Sequence, residues 1–292
     1  MECDVSVVIP TFNHGRYLAR ALRSALTQVT PPAEVIVIDD GSTDETPQVV
    51  QQFPSVRYIC QANRGPSAAR NRGIAEATGR WIAFLDADDW WLPDKISLQL
   101  HAAATHPEAA LIYTSSLLVT SEGEQLLSCA VEPGCIWPTL RYRNCISGGS
   151  GAMVRRDVLL AEGGFDEMLI STEDWDMWVR LARKYQFAAV QSAVTMVCDA
   201  PCSLSTQYER TIKNTEAMLD KTLVSDLHGL GRVMWSRRIR SAYLFHASIS
   251  ARTVDRKTSS HFLRKSLVQW PSPFFIPKRW VAMCLSVVRG WT

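Results

Sequence analysis

Three carboxylates crowd into four positions in Phe84-Leu85-Asp86-Ala87-Asp88-Asp89-Trp90-Trp91, directly after the apolar run Trp81 to Leu85. Like charges this close repel unless protons, a basic partner or a metal neutralise them. Oxygen-rich clusters suit Mg²⁺ or Mn²⁺, which bind through one or two carboxylates and leave the other positions to water and phosphate. The chemistry indicated is the handling of a diphosphate. The alternative is a polar loop whose acids cap the next helix, predicted to start at Pro93.

Three further polar segments each follow an apolar run: Pro10-Thr11-Phe12-Asn13, Asp39-Asp40-Gly41-Ser42 and Asn63-Arg64-Gly65. A carboxylate at a strand end can accept from a pyrimidine N–H, an aromatic such as Phe12 can stack on a base, and Arg64 or Arg70 can meet phosphate or base oxygens. Alternatively, the Asp39 segment is an ordinary strand-to-helix turn and Phe12 a core residue.

These segments need elements to hold them. Val5 to Ile9 and Val35 to Ile38 are near-continuous apolar runs, as expected of strands buried on both faces. Between them Tyr17, Leu18, Ala21, Leu22, Ala25 and Leu26 form one helical stripe, with Arg16, Arg20 and Arg23 towards solvent. Ser42 and Glu45 have capping-box spacing, predicting a helix through Val49 and Val50. Val56 to Cys60 reads as a third strand, Pro66 to Thr78 as a helix ending at Gly79, and Trp81 to Leu85 as the fourth strand. This βαβαβαβ order predicts an α/β fold with a parallel, doubly wound sheet, its ligand beyond the carboxyl ends of the strands. All four polar segments then fall on one edge.

Val7-Val8-Ile9-Pro10-Thr11-Phe12-Asn13, Val37-Ile38-Asp39-Asp40-Gly41-Ser42-Thr43-Asp44, Ala69-Arg70-Asn71 and the Asp86 to Asp89 cluster resemble, as an ordered set, the N-terminal half of the family 2 glycosyltransferases. The resemblance extends through Gly163-Gly164-Phe165-Asp166-Glu167 and Thr172-Glu173-Asp174-Trp175-Asp176-Met177-Trp178-Val179-Arg180, covering residues 5 to about 184. It implies a GT-A (Rossmann-like nucleotide-diphospho-sugar transferase) fold and inverting transfer from a nucleotide-sugar donor, a UDP-sugar by the family's commonest habit. The acceptor would be a glycan or lipid-linked hydroxyl. By that resemblance Asp40 holds the pyrimidine N–H with support from Asp39. Pro10, Thr11, Phe12 and Asn13 flank the base, and Asp86 and Ala87 approach the donor. Asp88, with Asp86, ligates Mn²⁺ or Mg²⁺. Arg64 and Arg70 are candidates for base or diphosphate contacts, although Arg70 could instead bond loop carbonyls, and Asp89 orients its neighbours or belongs to the following loop.

The resemblance also points to Glu173-Asp174, at the start of a helix, for the catalytic base, and favours Asp174. The alternative is that both acids complement the helix dipole. Gly148-Gly149-Ser150-Gly151 would let backbone approach a ligand. Trp90 and Trp91 would line an acceptor pocket or pack under the Pro93 helix, and Trp175 and Trp178 read as core. The chain lacks the Lys-Ser/Thr of a P-loop and the Gly-x-Gly-x-x-Gly of dinucleotide sites, which disfavours an ATPase and a dehydrogenase. A non-catalytic nucleotide-sugar-binding or assembly protein on the same scaffold is the rival reading.

With 292 residues, 47% of them hydrophobic, the chain can bury a substantial core. Its net charge of +2 hides an asymmetry, with 15 Lys/Arg against 5 Asp/Glu from residue 205 onward and 16 against 24 before it. The predicted organisation is a catalytic domain over 1–204, divided into a nucleotide-binding half, 1–106, and an acceptor half, 107–204, followed by a basic, mainly helical extension over 205–292. The composition of Pro271 to Trp291 suits peripheral membrane anchoring, or the extension packs with a solvated basic face; no nucleic-acid motif accompanies its charge. The eight cysteines show no metal or disulfide spacing and read as buried thiols. With no signal-peptide pattern and no apolar run near the ~20 residues of a membrane span, the expected location is cytoplasmic, at most peripheral on the inner face of the membrane.

Overall fold

The computed structural model describes residues 3–120, 123–128, 134–140, 144–146, 148–169, 171–198, 214, 217–218, 221, 229–250 and 256–270. The chain divides into two compact units, residues 1–140 with 144–203, and residues 141–143 with 204–292.

The first unit opens with four parallel strands, β1 (Val5–Thr11), β2 (Glu34–Asp39), β3 (Val56–Cys60) and β4 (Trp81–Phe84), lying in the order β3-β2-β1-β4. Helices α1 (Gly15–Leu26), α2 (Thr46–Gln51) and α3 (Pro66–Glu76) connect them. β1 and β4 are buried at every position, because each is covered on both faces. Each fully buried Val, Leu, Ile or Phe contributes roughly 1.5–3 kcal/mol, so Val7, Ile9, Val37 and Phe84 anchor the layer. The strand order reverses at β1, which pairs with β2 on one side and β4 on the other. In doubly wound sheets a crevice opens beyond the carboxyl ends at such a point.

The sheet continues as a mixed one. After β5 (Trp90–Trp91) and α4 (Lys95–Thr105) come β6 (Ala109–Thr120), β7 (Gly123–Ser128), α5 (Trp137–Leu140), β8 (Ala152–Arg155), α6 (Arg156–Ala161), α7 (Glu173–Ala182) and β9 (Gln186–Cys198). β8 joins β4 antiparallel, β6 follows β8 antiparallel, β9 runs parallel to β6, and β5 caps β9 antiparallel.

Several local expectations are corrected. Ser42 does not cap α2. Its hydroxyl accepts from the Asn13 amide, and Asp44 accepts from the Thr46 amide at 3.0 Å instead, so the helix starts at Thr46. The fourth helix begins at Lys95 rather than Pro93, because Trp90 and Trp91 are drawn into pairing with Met196 and Thr195. α3 ends at Glu76, before the expected Thr78, where the Thr78 amide turns to Glu34. The described cysteines form no disulfide, and Cys60 and Cys135 are exposed rather than buried.

In the second unit, helices Gly229–Ser250 and Arg256–Gln269 pack antiparallel. Phe245 meets Leu263, and Ser241 and Ser266 donate reciprocally to each other's carbonyls. Pro271 to Trp291, the expected anchor, lies outside the described residues. Among the described residues no helix is long and apolar enough to cross a membrane.

Candidate active site

β1 and β2 end in register, Thr11 beside Asp39, so the loops that follow meet at once. Asn13 takes the left-handed conformation, φ 54°, and its side-chain oxygen accepts from the Thr43 amide at 2.8 Å. Phe12 stands 45% exposed beside this junction rather than in the core. Asp39 and Asp40 are both buried. Asp39 accepts from the Ser42 amide at 2.8 Å and from the Tyr58 hydroxyl. Asp40 accepts from Gln61 Nε2 at 2.8 Å and the Arg64 amide at 2.9 Å on Oδ1, and from the Gly65 amide at 2.7 Å on Oδ2. A carboxylate has about four acceptor positions, so these donors fix Asp40 without exhausting it. The Arg64 guanidinium is exposed and pairs with Glu167 at 2.8 Å.

The acid cluster begins two residues after β4. The Asp86 amide donates to Ser150 Oγ at 3.0 Å, and Ser150 Oγ donates to Asp89 Oδ2 at 2.6 Å. Asp89 Oδ1 accepts from the Cys198 amide at 3.0 Å. Asp89 therefore binds its own loop to β9 and to the turn before β8. Burial, then the charges of Asp86 and Asp88, push its carboxyl well above the usual carboxylate range. Burial and Asp86 raise Asp88 as well, with His14 and Arg20 opposing. Arg20 stacks 3.6 Å from the centroid of Trp90 and donates to the Asp88 carbonyl at 2.9 Å, leaving the Asp88 carboxylate without a side-chain donor among the described residues. Trp91 is core: its Nε1 donates to the Ser150 carbonyl at 2.9 Å, and Lys95 Nζ lies 3.7 Å from its ring centroid.

Among the described residues no group of three or more His, Cys, Asp or Glu side chains converges as a metal cluster. Two neighbouring carboxylates, one of them with its proton affinity raised by the other, still match the oxygen-donor chemistry of a Mg²⁺ or Mn²⁺ ion shared with phosphates.

Arg70 joins this cluster to α7. It is 5% exposed, donating from Nη2 to Asp86 Oδ1 and from Nη1 to Glu173 Oε1, both at 2.7 Å. Burial opposes its charge, but Asp86 and Glu173 more than offset this and hold it firmly protonated. Among the described residues its two terminal nitrogens thus meet carboxylates rather than loop carbonyls. Glu173 Oε2 also accepts from the Ser171 amide at 2.8 Å, and Ser171 has φ 115°, a strained value for a side-chain-bearing residue. Asp174 accepts from the Trp175 amide at 2.7 Å and from Asn144 Nδ2 at 3.0 Å. Burial first, then Glu173, push its carboxyl up to about 7, against the pull of the Trp175 amide and Arg70. Trp175 and Trp178 are buried in the core. The Gly163 to Glu167 segment latches onto α3: Asn71 donates to the Phe165 carbonyl at 2.9 Å and accepts from the Phe165 amide at 2.7 Å.

A family model for glycosyl transferase family 2 matches residues 6–125, which contain β1 to β6 and the acid cluster. Residues 6–125 are a family 2 glycosyltransferase domain. The chain is 33% identical over 173 residues, 53% of its length, to an uncharacterized glycosyltransferase of Nostoc, of which it covers 52%. It is 31% identical over 185 residues, 61% of its length, to the chondroitin synthase of Escherichia coli, of which it covers 26%. The chain spans from about a fifth to about half of the length of curated relatives it matches. The S. aureus TarS fragment 1-349 superposes with a TM-score of 0.63 at 19% identity, covering 91% of this chain and 81% of that one. A mannosyltransferase from Pyrobaculum calidifontis in complex with GDP-Man and Mn²⁺ gives 0.59 at 19% identity, covering 99% and 86%. These likenesses establish the GT-A fold, with a helical C-terminal part.

Three positioning residues were not singled out by sequence reasoning. Ser150 sat in a glycine-rich stretch that drew attention for its backbone alone. Asn71 fell inside a matched motif without a role, and Asn144 carried no signal at all.

Proposed function

We propose that the chain is an inverting glycosyltransferase that moves a sugar from a nucleotide-diphosphate donor, a UDP-sugar, to a hydroxyl of a glycan or lipid-linked acceptor. The observation that carries this reading is Asp174, a half-buried carboxylate pushed up to about 7 and linked through Glu173 and Arg70 to Asp86 of the acid cluster. A base works best when its proton affinity lies near the operating pH. Asp174 takes the proton of the acceptor hydroxyl as it attacks the anomeric carbon opposite the leaving diphosphate. Phe12, Asn13, Asp39 and Asp40, with Pro10, Thr11 and Arg64 around them, form the base pocket. Glu173 is held by Arg70 and orients the start of α7. Asp88 and Asp86 would hold a divalent ion, Mn²⁺ or Mg²⁺, whose charge would stabilise the leaving diphosphate. The UDP preference is supported by the TarS complex with UDP-GlcNAc, and the GDP-Man complex of the mannosyltransferase makes the nucleotide the first variable to test.

The test is sugar transfer and donor hydrolysis by the full chain with UDP-, GDP- and dTDP-sugars, with and without Mn²⁺. Turnover that requires the ion, and that is abolished in Asp88→Ala and in Asp174→Asn with folding intact, supports the reading. Donor binding without turnover across an acceptor panel would instead identify a nucleotide-sugar-binding protein. For the basic region 205–292 we propose peripheral attachment to anionic membrane, checked by salt-sensitive co-sedimentation with anionic vesicles.

A further inference from the structure

Asp174 has two oxygens and two donors. The Trp175 amide serves Oδ1 from within the helix, at 2.7 Å, and Asn144 Nδ2 serves Oδ2 from outside it, at 3.0 Å. Among the described residues no other side chain donates to this carboxylate. The Asn144 amide is itself oriented, because the Ile146 N–H donates to its Oδ1 at 3.2 Å and so leaves Nδ2 to face Asp174. Cys145 and Ile146, both buried, root the segment. Further along the same stretch of chain, Ser150 holds the acid loop through the Asp86 amide and the Asp89 carboxylate. One stretch therefore touches the base at one end and the diphosphate-facing acids at the other.

We propose that Asn144 is the positioning residue of the base, locking the Asp174 carboxylate in one rotamer and favouring its ionised, proton-accepting form. This rests on the reading of Asp174 as base. Charged groups among the described residues also act on Asp174. Glu173 on its own helix and Asp86 from the acid loop raise its proton affinity, and Arg70 from α3 lowers it. Asp176, on the same helix, is committed to Arg180 at 2.8 Å. Helix α5, which packs on α7, has no charged side chain and gives the Leu140 carbonyl to Trp175 Nε1. Beside the Trp175 amide, Asn144 is thus the second neutral donor to this carboxylate, and the one that comes from outside the helix. A donor to the charged form favours that form, and losing it shifts the balance towards the protonated acid.

The experiment is the pH dependence of kcat and kcat/KM for the full chain and two variants. Asn144→Ala is expected to lose about tenfold in kcat near neutral pH, as for one hydrogen bond to a charged group. Its acid limb should move up by about one pH unit, with the donor KM unchanged. Asn144→Asp keeps the shape, removes the donor and adds a like charge, so its acid limb should move further still. A side chain that only filled space would predict the reverse order, with the isosteric variant nearly normal. Acid limbs that stay at the wild-type position in both variants, or an activity loss that follows the melting temperature alone, overturn the proposal. Asp174→Asn separates the two levels. If that variant still turns over, the base reading has failed; if it is dead while the Asn144 variants titrate normally, only the positioning role has failed.

Discussion

Replacing Arg70 by Leu should destabilise the first unit far more than a surface charge change would. Arg70 and Glu173 are 5% and 6% exposed, and both terminal nitrogens of the guanidinium are spent on carboxylates. Removing one member of a buried ion pair leaves the other as an uncompensated charge, at a cost of ~3–5 kcal/mol. Asp86 is less affected, because its side chain is 29% exposed and can be rehydrated. Over a unit of about 200 residues, each kcal/mol lowers the melting temperature by ~2–4 °C, so the expected loss is roughly 6–20 °C. The companion Arg70→Leu/Glu173→Gln should recover a large part of this, because no buried charge is then stranded. Thermal and urea denaturation of wild type, both singles and the double close the cycle. In activity, loss of Arg70 removes a charge that favours ionised Asp174, so the acid limb of the rate profile should move up. An unchanged melting temperature in Arg70→Leu, or a double variant no better than the single, would refute the argument that a buried ion pair braces α7 against the acid loop.

Other expectations concern the same unit. With the Asp174 carboxyl pushed up to about 7, kcat should fall about tenfold per pH unit below that value; a rate that is flat down to pH 5 would show that Asp174 is not the base. Ser150→Ala should leave the fold intact yet weaken the thermal shift produced by UDP with Mn²⁺, because the Asp86 amide loses its partner and Asp89 one of its two. Lys95 is fully buried against Trp91, and burial drives its proton affinity well below the usual value. The unfolded chain therefore holds this proton more tightly than the native state does, and native stability rises with pH up to the unfolded value of about 10.4. Lys95→Met should raise the melting temperature at pH 7, with the gain shrinking towards pH 10; an equal change at both pH values would contradict this.

The strand runs, the helical stripe of α1 and the four polar loops at one sheet edge were readable because each depends on local periodicity or on chain order. Val5 to Ile9 and Trp81 to Leu85 can hardly be anything but buried strands. What escaped depends on partners distant in sequence. The start of α2 is set by Asn13, which occupies Ser42 from another loop. The short strand at Trp90 exists because β9 arrives beside it. Arg70 resembled a ligand-binding arginine, and only the tertiary structure shows both its terminal nitrogens engaged between Asp86 and Glu173. Asn144 stands thirty positions from the acid it meets, and no spacing rule connects them.

The latch between α3 and the Gly163 to Glu167 segment divides that loop for anyone wishing to redesign the protein. A methyl group on Gly164, which sits at φ 72°, would overlap the Asn71 side-chain oxygen, whereas Gly163 has open space around it and is restricted by its own positive φ, 77°. Beyond the latch Met168 is 85% exposed, three residues before Ser171 and the turn that leads into Glu173 and Asp174. Libraries aimed at this loop should therefore hold Asn71, Gly163, Gly164, Phe165 and the buried Leu169 constant and randomise Met168, where a new side chain can extend outward without disturbing the latch.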